Sequence, residues 1–337
     1  MTLMLTKFLD YVRSFSIARA LMAAIDLDLF RHLEKGPMSR KVLKQRLAIV
    51  DGPIADAFFD VLISFEILSE ENGQLSLLPL AQSVLPVYGS IRSWNTEMQL
   101  FYETLNDLTA LLKTGNYQDS KLSGYWSYKK SRSSKSIQVS DVRNYSSVMD
   151  VSQIQLSRTI LESYYFGLHQ HVIDFGGGYG RLAINLAQRF SHLRITIADL
   201  PAVCEGTQSS VRALNLEDRI QCLPVDFFTD DLPNNVADLL LFVRVLHDWN
   251  DDEAMLLIAK TQACLRKPGV VLIVEPMAEE SVLPNRSSTP SSLMVTLLGG
   301  KRRTVPEYIK FLSLAGYTEI TSQDCGLSMY RMVRGSI

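Results

Sequence analysis

Apolar residues recur every three to four positions through "ARALMAAIDLDLFRHL" and "ADAFFDVLISFEIL" in the first 85 residues, the repeat of helices that bury one face. Between them, "GPMSRKVLKQRL" reads as a short helix with Ser39 as its N-cap, because a hydroxyl there can accept an otherwise unpaired helix N–H. The pattern then shortens. "ILSEENGQLSLLP" predicts two strands around Asn72-Gly73, a pair suited to the left-handed conformations of a tight hairpin. Three helices and a hairpin make a winged-helix pattern. Residues 94–112 return to helical spacing, rich in aromatics and Met, and suit a core or a pocket wall. Residues 114–146, with the Ser- and Lys-rich "SGYWSYKKSRSSKS", show no period and predict a loop or an ordered insertion.

From residue 170 the texture changes. "HVIDF", "LRITIADL", "IQCLPVDFF", "ADLLLFVRVL" and "GVVLIVEPM" predict strands, with helical patterns between them at 179–190, 205–214, 251–265 and 304–315. Such alternation predicts an α/β fold, a Rossmann-like, doubly wound parallel sheet with helices on both faces. The terminal "YTEITSQDCGLSMYRMVRG" adds two strands. The expected organisation is a mainly α winged-helix domain over 1–112, a linker with pocket-lining helices over 113–160, and the sheet domain over 161–337.

A length of 337 residues suits about two domains, and 47% hydrophobic residues suit a large core. Lys plus Arg number 34 and Asp plus Glu 36, for a net charge of −2, so nothing global draws the chain to nucleic acid or an anionic membrane. A winged helix does raise DNA binding, with Arg40, Lys41, Lys44 and Arg46 as the basic helix. The charge balance favours a solvated face on a dimerisation or pocket-lining domain instead, and no nucleic-acid partner is expected. The four cysteines form no C-x-x-C pair and share no ligand spacing with the histidines, so they read as buried thiols and no metal is expected. The opening "MTLMLTKFLDYVRSF" is interrupted by Lys7, Asp10 and Arg13 and lacks the apolar core of a signal peptide; no membrane partner and a cytoplasmic location are expected.

The candidate chemistry sits in "HVIDFGGGYGRLAINLA", a strand, a glycine turn and a helix. A dinucleotide fingerprint needs a glycine where Arg181 stands, and a P-loop needs a Lys-Ser/Thr pair that does not follow. Gly176-x-Gly178-x-Gly180 after an Asp-bearing strand suits S-adenosylmethionine (SAM), which has no phosphate to cradle. Asp199 ends the second strand, where a carboxylate can bond a ribose diol. Asp226-Phe227 ends the third, where an acid and an aromatic can bracket adenine. All lie at the carboxyl edge of the sheet, where ligands bind in this architecture.

"VIDFGGGYGRLA", "IADLPAV", "VDFF", "VRVLHDWNDDEA", "VLIVEPM" and "GGKRRT" together resemble the SAM-dependent small-molecule O-methyltransferases, the caffeate-type enzymes of plants and those of bacterial antibiotic and pigment pathways, with an N-terminal winged-helix dimerisation domain. The resemblance implies that Gly176 and Gly178 approach the methionine portion of SAM, with Asp174 and Leu200 also at the cofactor. It places Asp199 on the ribose, Asp226 and Phe227 on adenine, and Arg244 near adenine. His247 is implied as general base and Glu275 as the carboxylate that orients it. Met98, Trp126, Met149, Asp248, Met294 and Arg302 are implied around the acceptor. A homodimer, a phenolic or polyketide-like acceptor and S-adenosylhomocysteine (SAH) as product are expected.

The chemistry fits. A phenol has a pKa near ~10, so at neutral pH a base must take its proton as the methyl arrives. One position departs: the family often writes Glu where Arg302 stands, beside the base, and a cation there would disfavour imidazolium. That keeps two alternatives open, a same-fold SAM-binding enzyme that hydroxylates, decarboxylates or runs a pericyclic step, and methylation at carbon or nitrogen. A SAM-sensing regulator is a third.

Overall fold

The helical repeat of the first unit folds as α1 (Thr2–Arg13), α2 (Phe15–Asp26), α3 (Leu29–Glu34), α4 (Arg40–Arg46) and α5 (Pro53–Ser64). The hairpin β1 (Leu68–Glu71) and β2 (Gln74–Leu77) follows, with Asn72 and Gly73 both at positive φ as that turn requires. Ser39 caps α4 by accepting the Val42 N–H at 3.4 Å. Leu29, Leu43, Phe59, Leu62, Leu68 and Leu75 form the fully buried centre. α6 (Pro79–Gln82) and α7 (Tyr88–Leu105) come next. This computed structural model describes residues 2–115, 122, 128, 134–278, 290–327 and 329–337, and the chain divides into two units, Met1–Leu100 and Phe101–Ile337.

Two of the four basic residues on α4 are engaged within their own unit. Arg40 pairs with Asp60 and Glu70, each at 2.7 Å, and Lys44 with Asp51 and Asp56, each at 2.7 Å.

In the second unit, α8 (Leu108–Thr114) precedes α9 (Val139–Ser163), a 25-residue helix that starts inside the stretch expected to be a loop or an ordered insertion and lies largely within the span expected to hold pocket-lining helices. Its first turn is fixed by a capping box between Gln138 and Asp141. The start of α9 is obscured in the sequence because its first half turns polar residues inward. Asp141, Tyr145, Met149 and Gln153, and beside them Val142, Ser146 and Asp150, lie on the i, i+4 rows of one face and line a cavity. The chain's two compact units meet at 100/101, and α9 packs on the two helices that follow it.

The sheet comprises β3 (His171–Phe175), β4 (Arg194–Asp199), β5 (Ile220–Pro224), β6 (Ala237–Val243), β7 (Leu265–Pro276), β8 (Thr318–Asp324) and β9 (Tyr330–Ser336), ordered β5-β4-β3-β6-β7-β9-β8. The helices are α10 (Arg181–Arg189), α11 (Pro201–Arg212), α12 (Asp251–Gln262), α13 (Pro290–Leu297) and α14 (Val305–Leu314). β3 to β7 are parallel, as expected. β9 and β8 run antiparallel, because only a short turn joins them and a parallel crossover needs a far longer connection. One cluster of buried residues centres on Phe175, Phe242 and Tyr308, and another on Leu186, Leu241 and Met332.

Candidate active site

The sheet order decides where each strand end lies. The end of β3 is central, with β4 and then β5 on one side and β6 and then β7 on the other. Gly176 (φ 69°) and Gly178 (φ 57°) turn the chain out of β3 in the left-handed region that favours glycine. A Cβ at Gly176 would lie 2.7 Å from Val245 Cγ2, so the turn passes directly against the end of β6.

Asp199 ties that turn to β4. Its Oδ2 accepts the Gly178 N–H at 2.9 Å and its Oδ1 the Leu200 N–H at 2.7 Å, while Thr207 on α11 donates to the Gly178 carbonyl at 2.7 Å. An ionised carboxylate offers about four lone-pair sites, so two remain for a diol. Burial pushes the Asp199 carboxyl up to about 6 against the pull of those two N–H groups. Asp174 is more isolated: it is 1% exposed, and among the described residues neither oxygen has a hydrogen-bond partner. Burial, with the Asp199 charge added, pushes it up to about 7.

These groups line a cleft with about 1110 Å³ of empty space, part of it open to solvent, ample for a small-molecule site. Asp174, Gly176, Gly178, Asp199, Leu200, Phe227, Arg244, Met149 and Asp248 are brought together along it as the sequence implied. Asp226 is not among its walls. It is 1% exposed, accepting Tyr128 Oη at 2.8 Å and the Phe228 N–H at 3.1 Å. Phe227 does reach the cleft, its ring 5.6 Å edge-on from Phe175.

Arg244 follows β6 at φ 61°, a left-handed residue that ends the strand before the predicted 246. Its guanidinium lies on α9, donating to Ser152 Oγ at 2.8 Å, Gln153 Oε1 at 3.2 Å and Met149 Sδ at 2.8 Å. This is the β3–β6 side of the cleft, away from the β4–β5 side where the adenine residues were placed.

His247 sits in a single 3-10 turn, Leu246–Asp248. Its neighbours Val245 and Asp248 line the cleft, but His247 and Glu275 are not themselves among its walls. Its Nδ1 lies 2.5 Å from Glu275 Oε2, and its Nε2 lies 3.4 Å from Asp248 Oδ1. Glu275 is fully buried on β7, and its Oε1 also accepts the Val245 and Leu246 N–H groups at 2.8 and 2.7 Å. Burial works against imidazolium here, but the charges of Asp248 and Glu275 and the bond to Glu275 outweigh it, and the pKa of His247 lies above its ordinary value. The depression expected from a neighbouring cation is therefore not the net effect. Arg302 turns its Nε to the Pro276 carbonyl at 3.0 Å and is 6% exposed, outside the walls of the cleft. Burial lowers its own pKa, against the pull of Tyr330, Glu275 and Tyr308.

Met98 lies in the first unit and Met294, half-buried, on α13; neither is among the cleft residues. Trp126 lies outside the described residues. Tyr128, Tyr145, Asp150, Gln153, Phe228 and Trp249 line the cleft without having been assigned a role. Trp249 stood in the quoted "LHDW" stretch, and its ring lies 4.6 Å from that of Phe228 and 5.9 Å from that of Tyr128. The α9 residues carried a signal in their i, i+4 spacing, obscured by their polarity.

Residues 102–318 match the family model described as an O-methyltransferase domain. Among curated proteins, the tetracenomycin polyketide synthesis 8-O-methyl transferase TcmO of Streptomyces glaucescens is 27% identical over 322 residues, covering 93% of this chain and 91% of that protein. The N,N-dimethyltransferase OxyT of Streptomyces rimosus is 28% identical over 275 residues, covering 80% and 78%. The solved structure of human N-acetylserotonin methyltransferase in complex with SAM superposes with a TM-score of 0.76 at 21% identity, covering 98% of this chain and 96% of that one.

Proposed function

The chain belongs to the O-methyltransferase family, SAM-dependent enzymes, and we propose that it methylates a hydroxyl of a small aromatic or polyketide-like metabolite with His247 as the general base. The observation that carries the reading is the Glu275–His247 contact at 2.5 Å beside the cleft. A carboxylate on Nδ1 fixes the tautomer with the proton on Nδ1, leaving the Nε2 lone pair to take one. Glu275 also takes two loop N–H groups, so it holds the backbone and the ring together.

The residues present fit SAM on two features. The orphaned buried oxygens of Asp174 suit the methionine ammonium, and the turn at Gly176 and Gly178 presents bare backbone to the cleft, with a Cβ at Gly176 excluded by Val245 and open space beside Gly178. Asp199 is assigned the ribose hydroxyls and Leu200, Phe227 and Trp249 the adenine. Arg244 is assigned the methionine carboxylate, because it stands on the β3–β6 side. Asp226 serves there through Tyr128 and Phe228. When bound, SAM supplies an electrophilic methyl group. This chain's residues bind it, orient the acceptor against α9, and hold the departing hydroxyl proton on His247 Nε2, help worth about 10²–10⁴-fold.

The N-terminal unit is read as a winged helix used for homodimerisation in the cytoplasm. Met4, Leu5, Phe8, Tyr11, Val12 and Phe15 are large exposed apolar residues along α1 and into α2, a surface that a second copy would cover. Calorimetric titration with SAM, then mass spectrometry against a panel of phenols, tests the function. Micromolar binding with methylated product supports it; binding without product on any acceptor favours the non-methylating alternative. OxyT among the relatives favours a second reading, an amine acceptor, and an amine panel separates the two.

A further inference from the structure

Glu275 gathers the N–H groups of the base loop, and a second buried charge gathers its carbonyls. Arg303 is 0% exposed. Its Nη1 donates to the Leu246 carbonyl and its Nη2 to the Trp249 carbonyl, both at 2.8 Å, and its Nε to Asp251 Oδ1 at 2.9 Å. The two carbonyls flank His247 on either side. The rings of Phe311 and Tyr308 lie 5.3 and 5.9 Å from the guanidinium and fill the space around it.

The backbone beside Arg303 closes the same clamp. The Lys301 N–H donates to the His247 carbonyl at 2.8 Å, and the Ala278 N–H donates to the Arg303 carbonyl at 2.9 Å, which fixes the segment to the chain leaving β7. Gly300 allows this approach, since a Cβ there would lie 2.2 Å from the His247 carbonyl oxygen. By contrast, the turn holds itself with only long bonds, Asp248 N–H to Val245 at 3.2 Å and Trp249 N–H to Leu246 at 3.3 Å. A planar guanidinium presents its donors in a fixed fork, which a lysine cannot reproduce.

We propose that Arg303 is a positioning residue for His247: by bonding the carbonyls of Leu246 and Trp249 it keeps the imidazole seated between Glu275 and Asp248. The inference rests on the reading of His247 as the base. Arg303 is not among the residues that line the cleft. Its loss frees the loop to shift, and displacement of a catalytic group by an ångström costs about a hundredfold in rate.

The test compares Arg303→Met, Arg303→Lys and Asp251→Asn with the parent protein, using SAH for calorimetry and a dihydroxynaphthalene that the parent methylates as acceptor probe. The His247 ring signal, one of five histidines and assigned by its loss in His247→Ala, is titrated by NMR in the free proteins. We expect Arg303→Met to bind SAH within about threefold of the parent, to lose about a hundredfold in kcat, and to titrate His247 at a lower pH, as Asp248 and Glu275 cease to outweigh burial. Arg303→Lys recovers part of both losses. Asp251→Asn, which leaves the fork in place but removes the charge that its Nε meets, moves both in the same direction by less. Unchanged kcat and His247 titration in these variants overturns the proposal. So does a loss of SAH binding in step with kcat, because that marks a role in the fold alone. If Arg303→Met does not fold, Arg303→Lys and Asp251→Asn decide by the same criteria. If His247→Ala keeps full activity, the base assignment fails, and the titration still reports whether Arg303 seats the ring.

Discussion

The glycine turn that lines the cleft and the His247 turn beside it are built in different ways. The first, proposed as the cofactor end, is nearly continuous in sequence: β3, the turn at Gly176–Gly180 and α10 arrive in order, and Asp199 and Thr207 fasten the turn from outside that run. The second, proposed as the acceptor end, is assembled from distant pieces. His247 comes from the turn after β6, Glu275 from β7, and Lys301 and Arg303 from the segment before α14. A local turn carries its geometry in its own φ angles, while a composite site takes its geometry from bonds between segments. Substitutions at the first end should therefore act on binding or stability, and those at the second on turnover.

The largest effect expected is His247→Ala. Turnover falls by about 10²–10⁴-fold with SAM affinity unchanged, and parallel calorimetry and rate measurements check both. A matching loss of affinity would break the separation of the two ends. Next is Asp199→Ala, which removes the acceptor of two backbone N–H groups and the proposed diol ligand. Charge-assisted hydrogen bonds of this kind contribute about 1.5–3 kcal/mol, so the SAM dissociation constant should rise about tenfold to a hundredfold. Equal affinity in variant and parent sinks the ribose assignment. Third is Gly176→Ala. At φ 69° and with Val245 Cγ2 2.7 Å from the new carbon, the turn has to shift. A loss of about 1–3 kcal/mol in urea unfolding is expected, with turnover at saturating SAM affected less.

The same contrast explains what could be read from the chain alone. The β3 strand is visible as "HVIDF" because every position but the first is buried, and the glycines stand where positive φ is needed. Asn72-Gly73 is legible for the same local reason. Pocket-lining helices are expected over 113–160, but the start of α9 at Val139 is obscured because its inward face is polar. Arg303 drew no attention because an arginine in "GGKRRT" looks like a surface charge until the fold places the carbonyls of Leu246 and Trp249 around it. Arg302, the residue that departs from the family pattern, drew attention for a place in the cleft that the structure gives it no share in. Asp226 reads as an adenine contact at a strand end, but it is not among the cleft walls, and its partners Tyr128 and Phe228 could not be foreseen from spacing.

The smallest effect expected is in pH dependence, and it separates the two ends most cleanly. Asp174 is pushed up to about 7 and Asp199 to about 6, both by burial, against an unfolded value near ~3.9. The folded, ligand-free protein thus holds protons that the unfolded chain has released, and these two groups make stability fall as pH rises from about 4 to about 7. A ligand ammonium beside Asp174 favours the ionised carboxylate, so SAH should bind more tightly as pH rises through that window. His247 also has a raised pKa, but it acts on the other quantity: its base form accumulates as pH rises, so kcat increases through its titration. Asp174→Asn should flatten the pH dependence of both the thermal midpoint and the SAH dissociation constant, and leave the acid limb of kcat in place. If Asp174→Asn instead moves the acid limb of kcat, the two ends are electrostatically one site, and the division between binding and turnover drawn from their construction fails.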